Sequence, residues 1–139
     1  MANFEALYED SILPKRGTLK SAGYDFYAHE EVLIKAGERA LVKTGVSCYL
    51  ADDQYLAVVP RSGLALKQGI TVLNTPGTVD ADYYPNEIGV ILYNTSNVDF
   101  QVRLGERIAQ GIISHYDITG IDNVEERERT SGFGSTGKE

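Results

Sequence analysis

Asp80 and Asp82 stand two residues apart, just after the turn formers Asn74-Thr75-Pro76-Gly77 and just before Tyr83 and Tyr84. A carboxylate here sits on a loop framed by strands, and loops on rigid sheets are where chemistry is usually mounted. Taken singly, the same aspartates are more readily read as strand terminators, since Asp bonds its own backbone in turns. Other segments carry anion-binding groups. Pro60-Arg61-Ser62-Gly63-Leu64-Ala65 sets a planar guanidinium beside a hydroxyl and the amides that open a short helix, donors suited to phosphate oxygens. Alone, Ser62 is an N-cap. Gln110 follows Gly105-Glu106-Arg107 where a turn enters a strand, and alone it is an ordinary strand residue. Asp25 lies in Ser21-Ala22-Gly23-Tyr24-Asp25-Phe26-Tyr27-Ala28, after the basic residues Lys15, Arg16 and Lys20. Gly132 to Lys138, GFGSTGK, holds most of a phosphate-loop pattern, but Glu139 stands where that pattern needs Ser or Thr and then a helix. What survives is a glycine-rich run whose backbone N–H groups suit an anion.

The elements that must position these groups read as strands. Ile88, Val90 and Leu92 alternate with period two and mark one buried face. Residues 3–8 suit an edge strand, and runs at 31–34, 39–50, 55–59, 70–73, 99–103 and 107–115 are rich in apolar and β-branched residues, with turns between them. Residues 74–94 are then expected to form a hairpin with Asp80 and Asp82 near its mouth. One short helix is expected over 62–67, closed by Gly69. From Asp117 the texture changes to mixed charge and then small residues, so the expected organisation is a strand domain over 1–123 and a flexible C-terminal arm over 124–139.

A chain of 139 residues is one domain with room for a core. Its formal charge of −7 argues against binding duplex nucleic acid or an anionic membrane, while a small anion needs only a few local cations. Cys48 is the only cysteine, which excludes an internal disulfide and a cysteine-type zinc site. No apolar run approaches the roughly 18 residues of a membrane span, and no basic-then-apolar leader pattern opens the chain. A soluble, cytoplasmic protein is expected, and the Asn94-Thr95-Ser96 glycosylation pattern is then a chance match.

In their order and spacing, SAGYDFYA, PRSGLA, NTPGTVDADY, GERIAQ and SGFGSTG resemble the five motifs of the trimeric dUTPases, over nearly the whole chain. The resemblance implies an all-β fold, the β-clip, a jelly-roll-like barrel with one short helix and a flexible arm. It also implies a homotrimer with three active sites at subunit interfaces. The reaction implied is attack of water on the α-phosphate of dUTP, giving dUMP and pyrophosphate, which keeps uracil out of DNA and supplies dUMP for thymidylate synthesis. Asp80 is similar to the catalytic aspartate that orients and deprotonates the water and contacts the sugar 3′-OH. Asp25 is similar to the aspartate that reaches Mg²⁺ through water, the ion being held mainly by triphosphate oxygens. Tyr83 resembles the tyrosine that lies against the deoxyribose and leaves no room for a 2′-OH, and Asn74 the residue that helps read uracil beside backbone groups of the hairpin. Arg61, Ser62, Gly63 and Gln110 map onto phosphate contacts. In the last motif Arg129 maps onto the γ-phosphate contact and Phe133 onto the ring that closes over uracil, with Gly134 and Ser135 also at the substrate.

Two places depart from the family pattern. The last motif usually has Arg five positions before the Phe, where this chain has Glu128 flanked by Arg127 and Arg129. The turn Tyr83-Tyr84-Pro85-Asn86-Glu87 is one residue longer than the common pattern and lacks its Gly, which leaves Tyr84 and Tyr93 as alternative stacking rings. The dCTP deaminases share the fold and much of the motif order but need a Glu proton shuttle on the following strand, where this chain has Val90 or Ile91. A non-enzymatic trimer of this fold is expected to have lost Asp80, Tyr83 or Ser62, and all three are intact. A regulatory protein as a further partner is tested by no feature of the sequence.

Overall fold

The structure, a computed structural model, describes residues 1–125, so Arg127, Arg129, Phe133, Gly134 and Ser135 lie outside the described residues. The regular structure of the described chain is almost wholly antiparallel strand. The largest sheet has five, in the order β2 (Lys15–Arg16), β3 (Tyr24–Tyr27), β12 (Arg107–His115), β7 (Gln54–Val59) and β9 (Gly77–Val79). A second sheet orders β5 (Arg39–Lys43), β10 (Gly89–Asn94) and β8 (Ile70–Val72). Two further pairs complete the fold: β1 (Asn3–Ala6) with β6 (Val46–Tyr49), and β4 (Val32–Ile34) with β11 (Phe100–Val102). The all-β expectation is met, and the arrangement fits a β-clip, although no sheet closes into a barrel among the described residues.

The predicted strand over 39–50 is two strands. Gly45 divides them, with φ 74, and a Cβ there would stand 2.8 Å from both His29 Cγ and Ser11 Oγ. Only glycine suits that combination of left-handed backbone and close packing. The one α-helix among the described residues, α1 (Ser62–Gln68), ends on Gly69 at φ 68, whose N–H reaches the Ala65 and Leu64 carbonyls. Leu64 is its one buried residue and pins it to the core. The N-cap is Arg61, with no side-chain cap bond, so the Ser62 hydroxyl is not spent on capping.

Residues 74–94 do not form a hairpin. The strand β9 pairs with β7, Val79 opposite Leu56 and Gly77 opposite Val58, whereas β10 pairs with β5 on one side and β8 on the other. Period-two alternation tells which residues face the core and leaves the pairing partner open. The alternation itself holds: Ile88, Val90 and Leu92 are buried together with Phe26, Ile34 and Leu56. Each such side chain contributes about 1.5–3 kcal/mol by leaving water. Asn94 ends the same buried face. Its Nδ2 donates to the Ile34 and Val98 carbonyls at 3.0 and 2.8 Å, and its Oδ1 accepts from the Ser96 N–H and hydroxyl. A buried amide so engaged is no glycan acceptor. Among the described residues no helix is long and apolar enough to cross a membrane.

Candidate active site

Because β9 leaves in one sheet and β10 returns in another, a gap stays open between them. It is a cleft of about 260 Å³ whose lining includes Val58, Val72, Val79 and Val90 as apolar walls and Asn74, Thr78 and Tyr83 as polar ones. The strand β8 covers β10 only at Leu92, Tyr93 and Asn94. Gly89 and Val90 therefore border the cleft with no strand on that edge, whereas the Ile91 carbonyl still accepts the Leu73 N–H at 2.9 Å. A flat apolar slot with an amide and a strand edge suits a small planar ring with polar edges. The volume lies below the roughly 300–1,000 Å³ of sites for larger ligands.

Tyr83 is held across this cleft by its hydroxyl, which donates to the Glu87 carbonyl at 2.6 Å. Tyr84 points elsewhere: its hydroxyl donates to Glu5 Oε1 at 2.8 Å and its ring meets Tyr49 edge-on at 5.5 Å. The bond to Glu5 raises the Tyr84 pKa above that of an ordinary phenol. Tyr93 pairs with Arg39 and Thr71 and does not line the cleft. Of the three tyrosines considered, Tyr83 alone lines it. Where a deaminase needs its shuttle, the cleft presents Val90 and Ile91, and no carboxylate is among its lining residues.

A second group of polar residues gathers at the other end of the five-stranded sheet. Asp25 on β3 lies opposite Gln110 on β12, and Gln110 lies opposite Val59 at the end of β7, where the chain runs on into Pro60 and Arg61. Three strands thus place Asp25, Gln110 and Arg61 side by side. Arg61 Nε is 3.5 Å from Asp25 Oδ1, and a second guanidinium, that of Arg107, is 3.8 Å from Asp25 Oδ2. Gln110 Nε2 donates to the Pro60 carbonyl at 3.1 Å. Gly23 leaves the room for this amide, since a Cβ there would overlap Gln110 Oε1. Ser62 and Gly63 are exposed beside Arg61, and a Cβ at Gly63 would meet nothing within 4 Å.

Arg107 is the cation that sequence reasoning passed over. Its spacing to Gln110 along one strand gave no sign that it would share a carboxylate with Arg61; the pairing of β12 with β3 supplies that link. Among the described residues no three His, Cys, Asp or Glu side chains converge on a metal position. Asp25 is the one carboxylate in this group, and its two oxygens already face guanidinium groups. That donor set does not build a metal cage, but it fits a hydrated Mg²⁺ that arrives on phosphate oxygens and touches protein through water.

Asp80 is not itself in the cleft's lining but directly follows Val79, which is, and so goes with the cleft and not with the Asp25 group. It precedes a short 3₁₀ turn, Ala81–Tyr83, where its carbonyl accepts the Tyr83 N–H at 3.1 Å, and it lines a surface depression with Tyr49, Asp52, Asp82 and Tyr116. The registers give its distance from the Asp25 group. Val79 is opposite Leu56, which puts Asp80 level with Tyr55, whereas Asp25 and Gln110 are level with Val59. Four residues along the strand and three strands across amount to roughly 20 Å in a flat sheet. No one phosphate of a small ligand is within hydrogen-bond reach of both.

The comparisons with known proteins agree on one family. A family model described as dUTPase matches residues 9–137. The chain is similar to deoxyuridine 5'-triphosphate nucleotidohydrolases from Picosynechococcus sp., 47% identical over 94% of both chains, and from Treponema denticola, 46% identical over 99% of both. Among solved structures it is similar to the dUTPase of Streptococcus mutans, with TM-score 0.77 and 34% identity, covering 86% of this chain and 98% of that one. A phage phi11 dUTPase described with a structural Mg(II) ion shares the fold at TM-score 0.80 and 22% identity, over 93% of this chain and 99% of that one.

Proposed function

Since this chain belongs to the dUTPase family and hydrolyses dUTP to dUMP and pyrophosphate, we propose that it does so at a site assembled from the two separated halves described above, each drawn from a different copy of the chain. The observation that carries this reading is the roughly 20 Å between Asp80 and the Asp25 group, far beyond the reach of two side chains acting on one α-phosphate. A symmetric homotrimer, as the motif resemblance implies, brings the Asp80 end of one copy to the Arg61 end of the next and closes the ring in three equal interfaces.

In this reading the cleft takes the nucleoside. Uracil lies between Val58 and Val90 and pairs with Asn74 and the unpartnered edge of β10, while the Tyr83 ring closes the space a 2′-OH would occupy. Asp80 accepts the proton of the attacking water at the α-phosphate, a role worth about 10²–10⁴ in rate. On the neighbouring copy Arg61, Arg107, Gln110 and the Ser62-Gly63 backbone receive the phosphate oxygens as charge develops. The bond from the Gln110 amide to the Pro60 carbonyl supports this role, since it holds the side chain in place before any ligand arrives. Asp25 would hold a Mg²⁺ through water, and the ion would supply charge neutralisation on the triphosphate. Arg129, Phe133, Gly134 and Ser135 are proposed to cover the bound nucleotide from the arm that begins near residue 124.

Pyrophosphate release measured in parallel from dUTP, dCTP, dTTP and UTP with Mg²⁺ tests the cleft assignments. Release from dUTP alone is expected. Equal release from UTP would remove Tyr83 from its role, and equal release from dTTP would remove the cleft from uracil recognition.

A further inference from the structure

We propose that Glu87 is a positioning residue for sugar discrimination, setting the Tyr83 ring at the cleft through its own backbone carbonyl; this rests on the reading that Tyr83 faces the deoxyribose. The turn from Tyr83 to Ile88 is closed at its near end by the Asn86 N–H on the Tyr83 carbonyl at 3.0 Å. At its far end, the Glu87 carboxylate reaches out of the turn and accepts the Gly45 N–H at 2.7 Å. A charge-assisted bond of that length is among the stronger kinds available to a half-buried side chain.

Gly45 is a firm anchor. Its φ of 74 and its packing against His29 and Ser11 fix its backbone, and its carbonyl accepts the Ser11 hydroxyl at 2.6 Å and the Leu7 N–H at 2.9 Å. The residue after Glu87 is tied to the same place. The Ile88 carbonyl accepts the Thr44 hydroxyl at 2.6 Å, and the Ile88 N–H donates to Val46 at 2.9 Å. With its side chain and its successor both held, Glu87 has its carbonyl aimed in one direction, and that carbonyl is the acceptor of the Tyr83 hydroxyl at 2.6 Å. The tether answers a need set by this sequence. A turn one residue longer than the common pattern has more ways to close, and the Glu87–Gly45 bond selects among them.

The experiment compares kcat/KM for dUTP with that for UTP in the full chain, with thermal melts alongside. Glu87→Ala is expected to reduce the dUTP preference about fivefold to tenfold, chiefly through a lower KM for UTP. Glu87→Gln keeps an acceptor for the Gly45 N–H and is expected to stay within about twofold of the parent. Tyr83→Phe cuts the same link and should match Glu87→Ala, and the double variant should lose no more than either alone, since both act through one contact. If Glu87→Ala fails to fold, Glu87→Asp, one methylene short of Gly45, replaces it in the same cycle. An unchanged preference in Glu87→Ala beside a reduced one in Tyr83→Ala would overturn the proposal and leave the Tyr83 reading standing. Effects that multiply in the double variant would overturn it as well. An unchanged preference in Tyr83→Ala would overturn both.

Discussion

Gly23→Ala is a one-carbon change that should act on catalysis with little effect on the fold. The new Cβ would overlap Gln110 Oε1 and stand 3.0 Å from Gln110 Cδ, inside the 3.4 Å at which ordinary contact begins. The two nearest obstacles are at the free end of a side chain and the third, Gln110 Cβ at 3.3 Å, asks only a few tenths of an ångström, so the strands stay paired and the amide swings away by about 1 Å or more. Gln110 then leaves the Pro60 carbonyl, a bond of 3.1 Å worth about 0.5–1.5 kcal/mol. It also leaves its place beside the proposed phosphate site, where a misplacement of about 1 Å costs about 10²-fold in rate. The expected result is a fall of about 30- to 100-fold in kcat/KM for pyrophosphate release from dUTP, with a melting temperature within a few degrees of the parent. Gly111→Ala, on the same strand as Gln110, is the control. Its Cβ would stand 2.5 Å from Phe26 Cε1 and 2.8 Å from Leu56 Cδ1, both core atoms, so overpacking of about 1–3 kcal/mol should lower the melting temperature by several degrees. Parental kcat/KM in Gly23→Ala would refute the reasoning, because Gln110 cannot both stay where it is and admit that carbon.

Asp80→Asn is expected to keep dUTP binding within about threefold while kcat falls by about 10²–10⁴, by calorimetry and single-turnover rates; a parental kcat would remove Asp80 from the base role. Arg107→Gln should weaken pyrophosphate binding about tenfold by calorimetry in chelator as well as in Mg²⁺, since its guanidinium shares Asp25 with Arg61. Burial pushes the Cys48 thiol up from 9.0 to about 12, so a thiol reagent at pH 8 should label the folded chain at least about a hundredfold more slowly than the unfolded one. The raised value also fixes a sign: the Cys48 contribution to stability is complete below pH 9.0 and is lost as pH rises toward 12, which Cys48→Ala should abolish in denaturant titrations.

Much of the fold could be read from alternation and breakers. The buried face of Ile88, Val90 and Leu92, the helix closed by Gly69 and the strand at 107–115 all follow from local pattern, because each depends on which side chains seek the core. What escaped was non-local. Nothing along the chain tells Gly77–Val79 to pair with β7 in preference to β10, yet that choice opens the cleft at Asn74 and Tyr83. The same limit hid Arg107, whose partner Asp25 is remote in sequence and adjacent only through the register of β3 with β12. It also hid Glu87, an ordinary acidic turn residue until Gly45 is seen beside it. The motif residues themselves were legible by type and order, and the resemblance implied sites at subunit interfaces, but which residues stand together on one chain came only from the strand registers.

That division is the central claim, and complementation tests it most directly. Asp80→Asn and Arg61→Ala chains, each inactive alone, would be unfolded together, refolded at equal ratio and assayed for pyrophosphate release from dUTP. Random assembly puts an intact Asp80 against an intact Arg61 at roughly a quarter of the interfaces, so activity near a quarter of the parental level is expected. If the mixture refolds into mixed oligomers and stays as inactive as its two parts, Asp80 and Arg61 serve one site from one chain, and the account is contradicted.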